Sequence, residues 1–228
     1  MSDFIYSKDI DNIVLIQWDV KDKNMNVLTL DGIISLRECV QRALDDETAI
    51  GIIIGSGKKD FSGGMDLNIL LSMMSKSTSD FSNVAFKTIM GIHELLRKIE
   101  LAGRNKKTKK QAKPVVWASS GISAGIGTEI ALACHYRITT NEPRTRIGLP
   151  EILVGLFPFG GGTTRVMRML GAMAASSVLL EGKMFTASAS KSLGLIDEIC
   201  EETELLTKAK AWILTASDAE ITKAWDNK

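Results

Sequence analysis

The sequence predicts an α/β fold in which helices cover buried sheets, and three observations carry that prediction. Two short runs, Ile50 to Ile54 and Pro114 to Ala118, are apolar throughout, as expected of strands buried on both faces. Segments with helical spacing of apolar residues lie between such runs. Glycine clusters follow the strand signals, where a chain must turn tightly. Strands interleaved with helices in this way argue for sheets covered by helices.

The elements follow in order along the chain. Ile13, Val14, Leu15 and Ile16 form a β-branched run suited to a strand. Leu30, Ile33, Leu36, Val40 and Leu44 recur at helical spacing, and Phe81, Val84, Ile89, Ile92, Leu96 and Ile99 mark a longer amphipathic helix. Ile130 to Cys134 reads as helix, and Tyr136, Arg137, Ile138 and Thr139 as extended chain. Beyond Gly160 the pattern is mostly helical, with a short strand near Leu195 and Ile196. One amphipathic helix is expected between Leu205 and Trp225. Tandem repeats and linker-like stretches are absent from the sequence. Residues 1–200 therefore read as one core and residues 201–228 as a C-terminal helical segment.

Composition narrows the function. Of 228 residues, 28 are Lys or Arg and 27 are Asp or Glu, so the formal net charge is +1. That balance excludes global electrostatics as a basis for nucleic-acid or membrane binding. The exception is local: RNKKTKK at 104–110 carries five positive charges in seven residues, either a solvated loop or a contact for a phosphorylated ligand. No apolar stretch reaches the roughly 18 residues of a membrane span. The polar, acidic start is unlike a secretory signal. Cys39, Cys134 and Cys200 are widely spaced in apolar contexts and read as reduced core thiols, which places the chain in the cytoplasm. With His93 and His135 as its two histidines and no C-x-x-C or H-E-x-x-H, the sequence offers no zinc site.

The 19 glycines concentrate in three strand-end clusters: 55–66, 121–129, and 148–162. Each can be a tight turn, or a loop whose free amides bind an anion or a developing oxyanion. Gly125-x-Gly127 is not a dinucleotide fingerprint, because Ile130 holds the third glycine's place. Gly160, Gly161 and Gly162 are not followed by Lys-Ser/Thr, so they form no P-loop. Ser119 and Ser120 lack the Gly-x-Ser-x-Gly context of a hydrolase elbow, even with His135 near in sequence. Two acids accompany the glycines: Glu129, in the first turn of the helix after the second cluster, and Glu151, directly after Gly-Leu-Pro. The 22 residues between them hold enough structure to return the chain to one place. Two carboxylates sharing a site can divide into an acid and a base. The plainer readings remain helix-dipole stabilisation for Glu129 and a surface turn acid for Glu151.

The residues then match a known family. The stretches DKNMNVL (22–28), GKKDFSGGMDL (57–67), KPVV (113–116), GIGTEIALACHYRI (125–138), IGLPEILVGLFP (147–158), GGTTR (161–165) and LGLIDE (193–198) run in order over nearly the whole chain. In this the chain resembles the crotonase (enoyl-CoA hydratase/isomerase) superfamily, and within it the hydratase part of multifunctional fatty-acid oxidation α subunits. The resemblance implies a ClpP/crotonase-like spiral of ββα units with C-terminal helices that commonly mediate trimer contacts. It implies a coenzyme A thioester as substrate and no metal or redox cofactor. It puts the two thioester-oxygen donors on the backbone N–H groups of Gly63 and Ile126, and the two catalytic glutamates on Glu129 and Glu151. Met65, Asp66, Gly125 and Phe159 fall at substrate-binding positions. The implied reaction is hydration of a trans-2-enoyl-CoA in β-oxidation; isomerisation using Glu151 alone, or acyl-CoA binding with weak activity, are the alternatives.

The chain departs from the family pattern in places. Ile126 replaces the middle glycine of the usual Gly-Gly-Gly-x-Glu, which keeps the N–H but crowds the acyl channel. Phe159 stands where glycine commonly follows Pro158, and Ser120 where asparagine is usual. Two extra residues fall around 141–144, and the basic stretch 104–110 is an insertion in the family frame. The C-terminal part is short for a free-standing member, which fits either a compact form or a piece of a larger multifunctional protein.

Overall fold

The computed structural model describes residues 2–69, 78–105, 107–108 and 111–227. Strands β1 (Phe4–Lys8) and β2 (Ile13–Trp18) pair antiparallel. Helix α1 (Leu30–Asp45) follows, with Thr29 accepting from the Gly32 amide at 2.9 Å as its N-cap. Ile33, Leu36, Val40 and Ala43 form its buried stripe. Then come β3 (Gly51–Ser56), α2 (Thr78–Leu101), β4 (Val115–Ser119), β5 (Ile122–Ala124), α3 (Ile126–Ala133), β6 (Tyr136–Thr140) and β7 (Arg146–Gly148). After a 3-10 turn at Glu151–Val154 the chain adds α4 (Gly162–Leu179), β8 (Met184–Phe185), α5 (Ala187–Leu193), β9 (Glu198–Cys200) and α6 (Leu205–Thr215).

The larger sheet has the order β1-β2-β3-β4-β6-β9, parallel from β2 onward; the smaller one is β5-β7-β8. The two sheets alternate along the chain. β4 lies in the larger sheet and β5 in the smaller before α3, and β6 and β7 repeat that step before the 3-10 turn and α4. The β3 turn has the same form in miniature, because Ser62 bridges Ser123 before the chain reaches α2. This repetition is the expected spiral of ββα units. Each crossover brings a strand end, its glycines and the next helix N-terminus to the same side.

The apolar runs at 50–54 and 114–118 become β3 and β4, in register through Ile52–Val115 and Ile53–Val116. Two expectations shift. The C-terminal strand forms at Glu198–Cys200 rather than at Leu195 and Ile196. Gly194 caps α5 in the left-handed region, and the Leu195 and Ile196 amides both donate to Ser190 O, so these two apolar residues are buried in the turn instead of a ladder. The last helix stops at Thr215 rather than running to Trp225. Glu220 accepts from the Ser217 amide at 2.8 Å, a local turn that competes with further helix, and a 3-10 turn at Ala224–Asp226 follows. Among the described residues no helix is long and apolar enough to cross a membrane.

Candidate active site

The first glycine cluster is aimed by the core beneath it. Phe4 stacks on Trp18 with 5.0 Å between ring centroids, Trp18 meets Phe61 edge-on at 5.4 Å, and Phe61 meets Trp117 at 5.3 Å. This buried aromatic row anchors Phe61 immediately before Ser62 and Gly63. Asn26, wholly buried, ties the same loop to the strand ends. Its Oδ1 accepts from Val20, and its Nδ2 donates to Trp18 O, Ser56 Oγ and Phe61 O at 3.0–3.1 Å. From the sequence alone Asn26 has no evident role.

The second cluster delivers α3. All eight of its residues are buried, so it is a central helix packed on every side, which explains its almost wholly apolar composition. Its one acid is Glu129, 1% exposed. Glu129 Oε1 accepts from the Gly162 amide at 2.6 Å. A methyl group at 162 would lie 2.8 Å from that oxygen, and one at 160 would lie 2.7 Å from Ile126 Cδ1 and 3.0 Å from Glu129 Oε2. Glycine at 160 and 162 is therefore what lets the third cluster close over the carboxylate. Burial raises the Glu129 pKa to about 7, with the nearby Glu151 adding to the rise and the Gly162 amide and Arg165 opposing it.

Glu151 opens the 3-10 turn, half-buried, with its pKa also raised by burial. Its Oε2 is buried without a hydrogen-bond partner in the described structure. Its Oε1 would sit 3.1 Å from a methyl group at Gly125, whose φ of +56° favours glycine in any case. Both glutamates line one cavity of about 840 Å³, together with Gly63, Met65, Asp66, Gly125, Ile126 and Phe159. The fold thus gathers all eight sequence-predicted positions at one site. Near its edge, Lys23 Nζ lies 3.6 Å from the Asp66 carboxylate, which backbone and side-chain N–H donors of Asn68 hold below the usual range. A smaller apolar cavity of about 210 Å³ adjoins it, sharing Met65, Leu156 and Phe159 and reaching Phe81 and Ile89 on α2.

The two expected oxyanion donors differ. Ile126 is the first residue of α3, where the helix itself offers its N–H no partner, and that N–H has no acceptor among the described residues. The Gly63 N–H instead donates to Asn26 O at 2.9 Å. This backbone bond, between segments far apart in sequence, leaves Gly63 at the cavity wall with its amide already engaged.

Other candidates resolve away from the site. His135 is buried, with Nδ1 accepting from the Val115 amide at 3.0 Å and Nε2 on Glu100 O at 3.0 Å; burial lowers its pKa to about 3. It is a neutral core residue, with no role beside Ser119 or Ser120. Arg104 of the basic stretch pairs with Asp218 at 2.9 Å and lines a different cavity, behind the glycine loop. Lys106, Lys109 and Lys110 lie outside the described residues. In the two-residue lengthening, Arg144 pairs with Asp60, whose Oδ1 accepts from the Ile122 amide at 2.8 Å. Asp60 thus ties the first two glycine clusters together, with Arg144 holding its other carboxylate oxygen. Among the described residues no group of three or more potential metal ligands converges.

An α/β spiral whose strand-end glycines enclose two carboxyls of raised proton affinity is the frame on which the likeness to known proteins rests. The family model for enoyl-CoA hydratase/isomerase matches residues 10–224, and the chain belongs to that family. Solved structures share its fold. Human mitochondrial delta3-delta2-enoyl-CoA isomerase is 21% identical with a TM-score of 0.81, over 99% of this chain and 83% of that one. An enoyl-CoA hydratase from Polaromonas sp. JS666 is 22% identical with a TM-score of 0.77, over 91% and 74%. DspI of Pseudomonas aeruginosa is 23% identical with a TM-score of 0.76, over 97% and 84%.

Proposed function

We propose that the chain hydrates a trans-2-enoyl-CoA to the 3-hydroxyacyl-CoA, as in fatty-acid β-oxidation, with Glu129 and Glu151 as the acid–base pair. The observation that carries this reading is the presence in one cavity of two carboxyls whose proton affinity burial raises, beside the open Ile126 amide. Water attacks C3 of the conjugated thioester, and negative charge develops on the thioester oxygen. The Ile126 N–H, at the positive end of α3, stabilises that charge. The Gly63 N–H joins it by sharing its hydrogen between the substrate and Asn26 O. Glu129, ionised, takes the proton from water, and Glu151, protonated, supplies one to C2. The reaction needs no metal or redox cofactor.

One observation favours a second reading. Glu129 is held by Gly162 in full burial, whereas Glu151 Oε2 is unpartnered. A double-bond isomerase could move the proton with Glu151 alone. Loss of the conjugated-thioester absorbance of crotonyl-CoA on adding the protein tests the first reading. Turnover of a 3-enoyl-CoA with crotonyl-CoA left untouched supports the second, and binding of either without turnover leaves an acyl-CoA-binding role.

The smaller apolar cavity suits the acyl chain, and Phe159 lines both it and the cavity that holds the glutamates. Phe159→Ala is expected to move preference toward longer chains, with kcat/KM gaining about fourfold per added methylene at 0.8 kcal/mol each. A chain-length series with an unchanged optimum rejects that role.

A further inference from the structure

We propose that Arg165, held by the buried carboxylate of Glu100, is a positioning residue that fixes the place of Glu129 through the Gly160–Gly162 turn and sets a cation behind it. The inference deepens the acid–base reading above and rests on it for its kinetic consequence. Arg165 and Glu100 are 7% and 4% exposed, yet both carry charges. Their fork geometry is nearly bidentate: Nε lies 3.1 Å from Oε1 and Nη2 3.3 Å from Oε2. The third guanidinium nitrogen, Nη1, donates to Gly160 O at 3.0 Å, and the Arg165 amide donates to Gly161 O at 3.0 Å. Two residues on, the Gly162 amide holds Glu129 Oε1. The path from Glu100 to Glu129 is thus continuous, through one side chain and one three-residue turn.

The pair is anchored from behind. Arg97 Nη1 donates to Glu100 Oε2 at 2.7 Å and to Asp226 Oδ2 at 2.9 Å, tying the network to the C-terminal segment. From the same segment, Lys223 Nζ donates to Leu132 O at 3.1 Å and Cys134 O at 2.6 Å, capping the C-terminal end of α3. Gly161 and Arg165 also wall a second cavity of about 820 Å³ that Glu129 does not line. The network therefore separates the carboxylate from open space on its far side.

The charges around Glu129 give the sign. Glu151, from the 3-10 turn, raises its proton affinity; Arg165, from α4, lowers it. Glu100 and Arg97 on α2, with Lys223 and Asp226 of the C-terminal segment, pair with or surround Arg165 and the end of α3, and His93 of α2 contacts Phe159 O. Removing the Arg165 charge leaves Glu151 less opposed and frees Gly160 O, so Glu129 binds its proton more tightly and loses its fixed position. Glu100 keeps Arg97 as partner, so the change strands no unpaired buried carboxylate.

The test is the titration of Glu129 in the full chain, followed by carbon-13 NMR of labelled glutamate carboxyls and assigned with Glu129→Gln, alongside kcat and KM for crotonyl-CoA. In Arg165→Met the Glu129 titration is expected to move to higher pH and kcat to fall on the order of 100-fold with KM little changed, the cost of a small misplacement. Arg165→Lys keeps the charge and should return the titration to its parental position. Arg165→Gln, neutral but able to donate to Gly160 O, should show the upward titration shift with a smaller loss of kcat, and serves if the Met variant does not fold. Parental titration in both neutral variants overturns the proposal. Crotonyl-CoA turnover retained by Glu129→Gln overturns the two-glutamate mechanism instead, while a shifted titration in the neutral variants would still uphold the positioning role.

Discussion

Replacing either Glu129 or Glu151 by glutamine is expected to reduce hydration of crotonyl-CoA by about 10²- to 10⁴-fold in kcat, the range a positioned general acid or base contributes. Glutamine preserves shape. In Glu129→Gln the amide oxygen can still accept from Gly162, so the turn at 160–162 has no reason to open. KM should change little, because the exchanged proton matters in the transition state and not in substrate binding. The pH dependence follows from the same assignment. A base must be ionised, and with a pKa of about 7 Glu129 is half ionised there, so kcat/KM should rise through neutral pH. Glu151 must keep its proton, and burial supports that by raising its pKa. Because the two carboxyls face each other's charge, the limbs of the profile belong to the pair. Stopped-flow absorbance of both variants checks this. Near-parental hydration in Glu129→Gln together with loss in Glu151→Gln would overturn the two-glutamate mechanism and leave Glu151 as the single acid–base group.

What the sequence disclosed about this site and what it hid have physical reasons. β3 and β4 were legible because a strand buried on both faces must be apolar throughout, and α1 because Ile33, Leu36 and Val40 recur at helical spacing along its buried face. β1 escaped because it is an edge strand with only Phe4 fully buried, and β5, β7 and β8 because strands of two or three residues are too short to show a period. Their existence depends on pairing with one another. The glutamates stood out because each follows glycines at a strand end, where a charge has no structural need to be. The Arg165–Glu100 pair did not, since its members are 65 residues apart and a charge on an amphipathic helix reads as solvated. The Gly63–Asn26 bond was equally hidden: side-chain identity says nothing about where a glycine amide points. Motifs therefore located the carboxylates, and only the fold located what holds them.

Glu129→Gln is also expected to stabilise the protein, by an amount that grows with pH. Unfolded, Glu129 ionises near its ordinary value of 4.5; folded, it does so at about 7. A raised folded pKa means stability that is full below about 4.5 and is lost as pH rises through about 7. Over that window the unfolded chain gives up a proton the native state retains, and above it folding must bury the charge. At 1.36 kcal/mol per pKa unit the loss is on the order of 3 kcal/mol. The glutamine variant has no proton to lose and escapes it. Lys223, buried with its pKa lowered to about 7, and His135, lowered to about 3, impose their own pH dependence, but both are present in parent and variant and cancel in the difference. Denaturant unfolding at about pH 5 and about pH 8 should thus show the variant's advantage widening by most of that amount, or roughly 6–12 °C in Tm. An advantage of the same size at both pH values would mean that Glu129 titrates near its unfolded value, and the base assignment would lose its physical support. A catalytic carboxylate that destabilises its own fold at working pH is the expected signature of a buried base, because the desolvation that tunes its proton affinity is the same desolvation that folding must overcome.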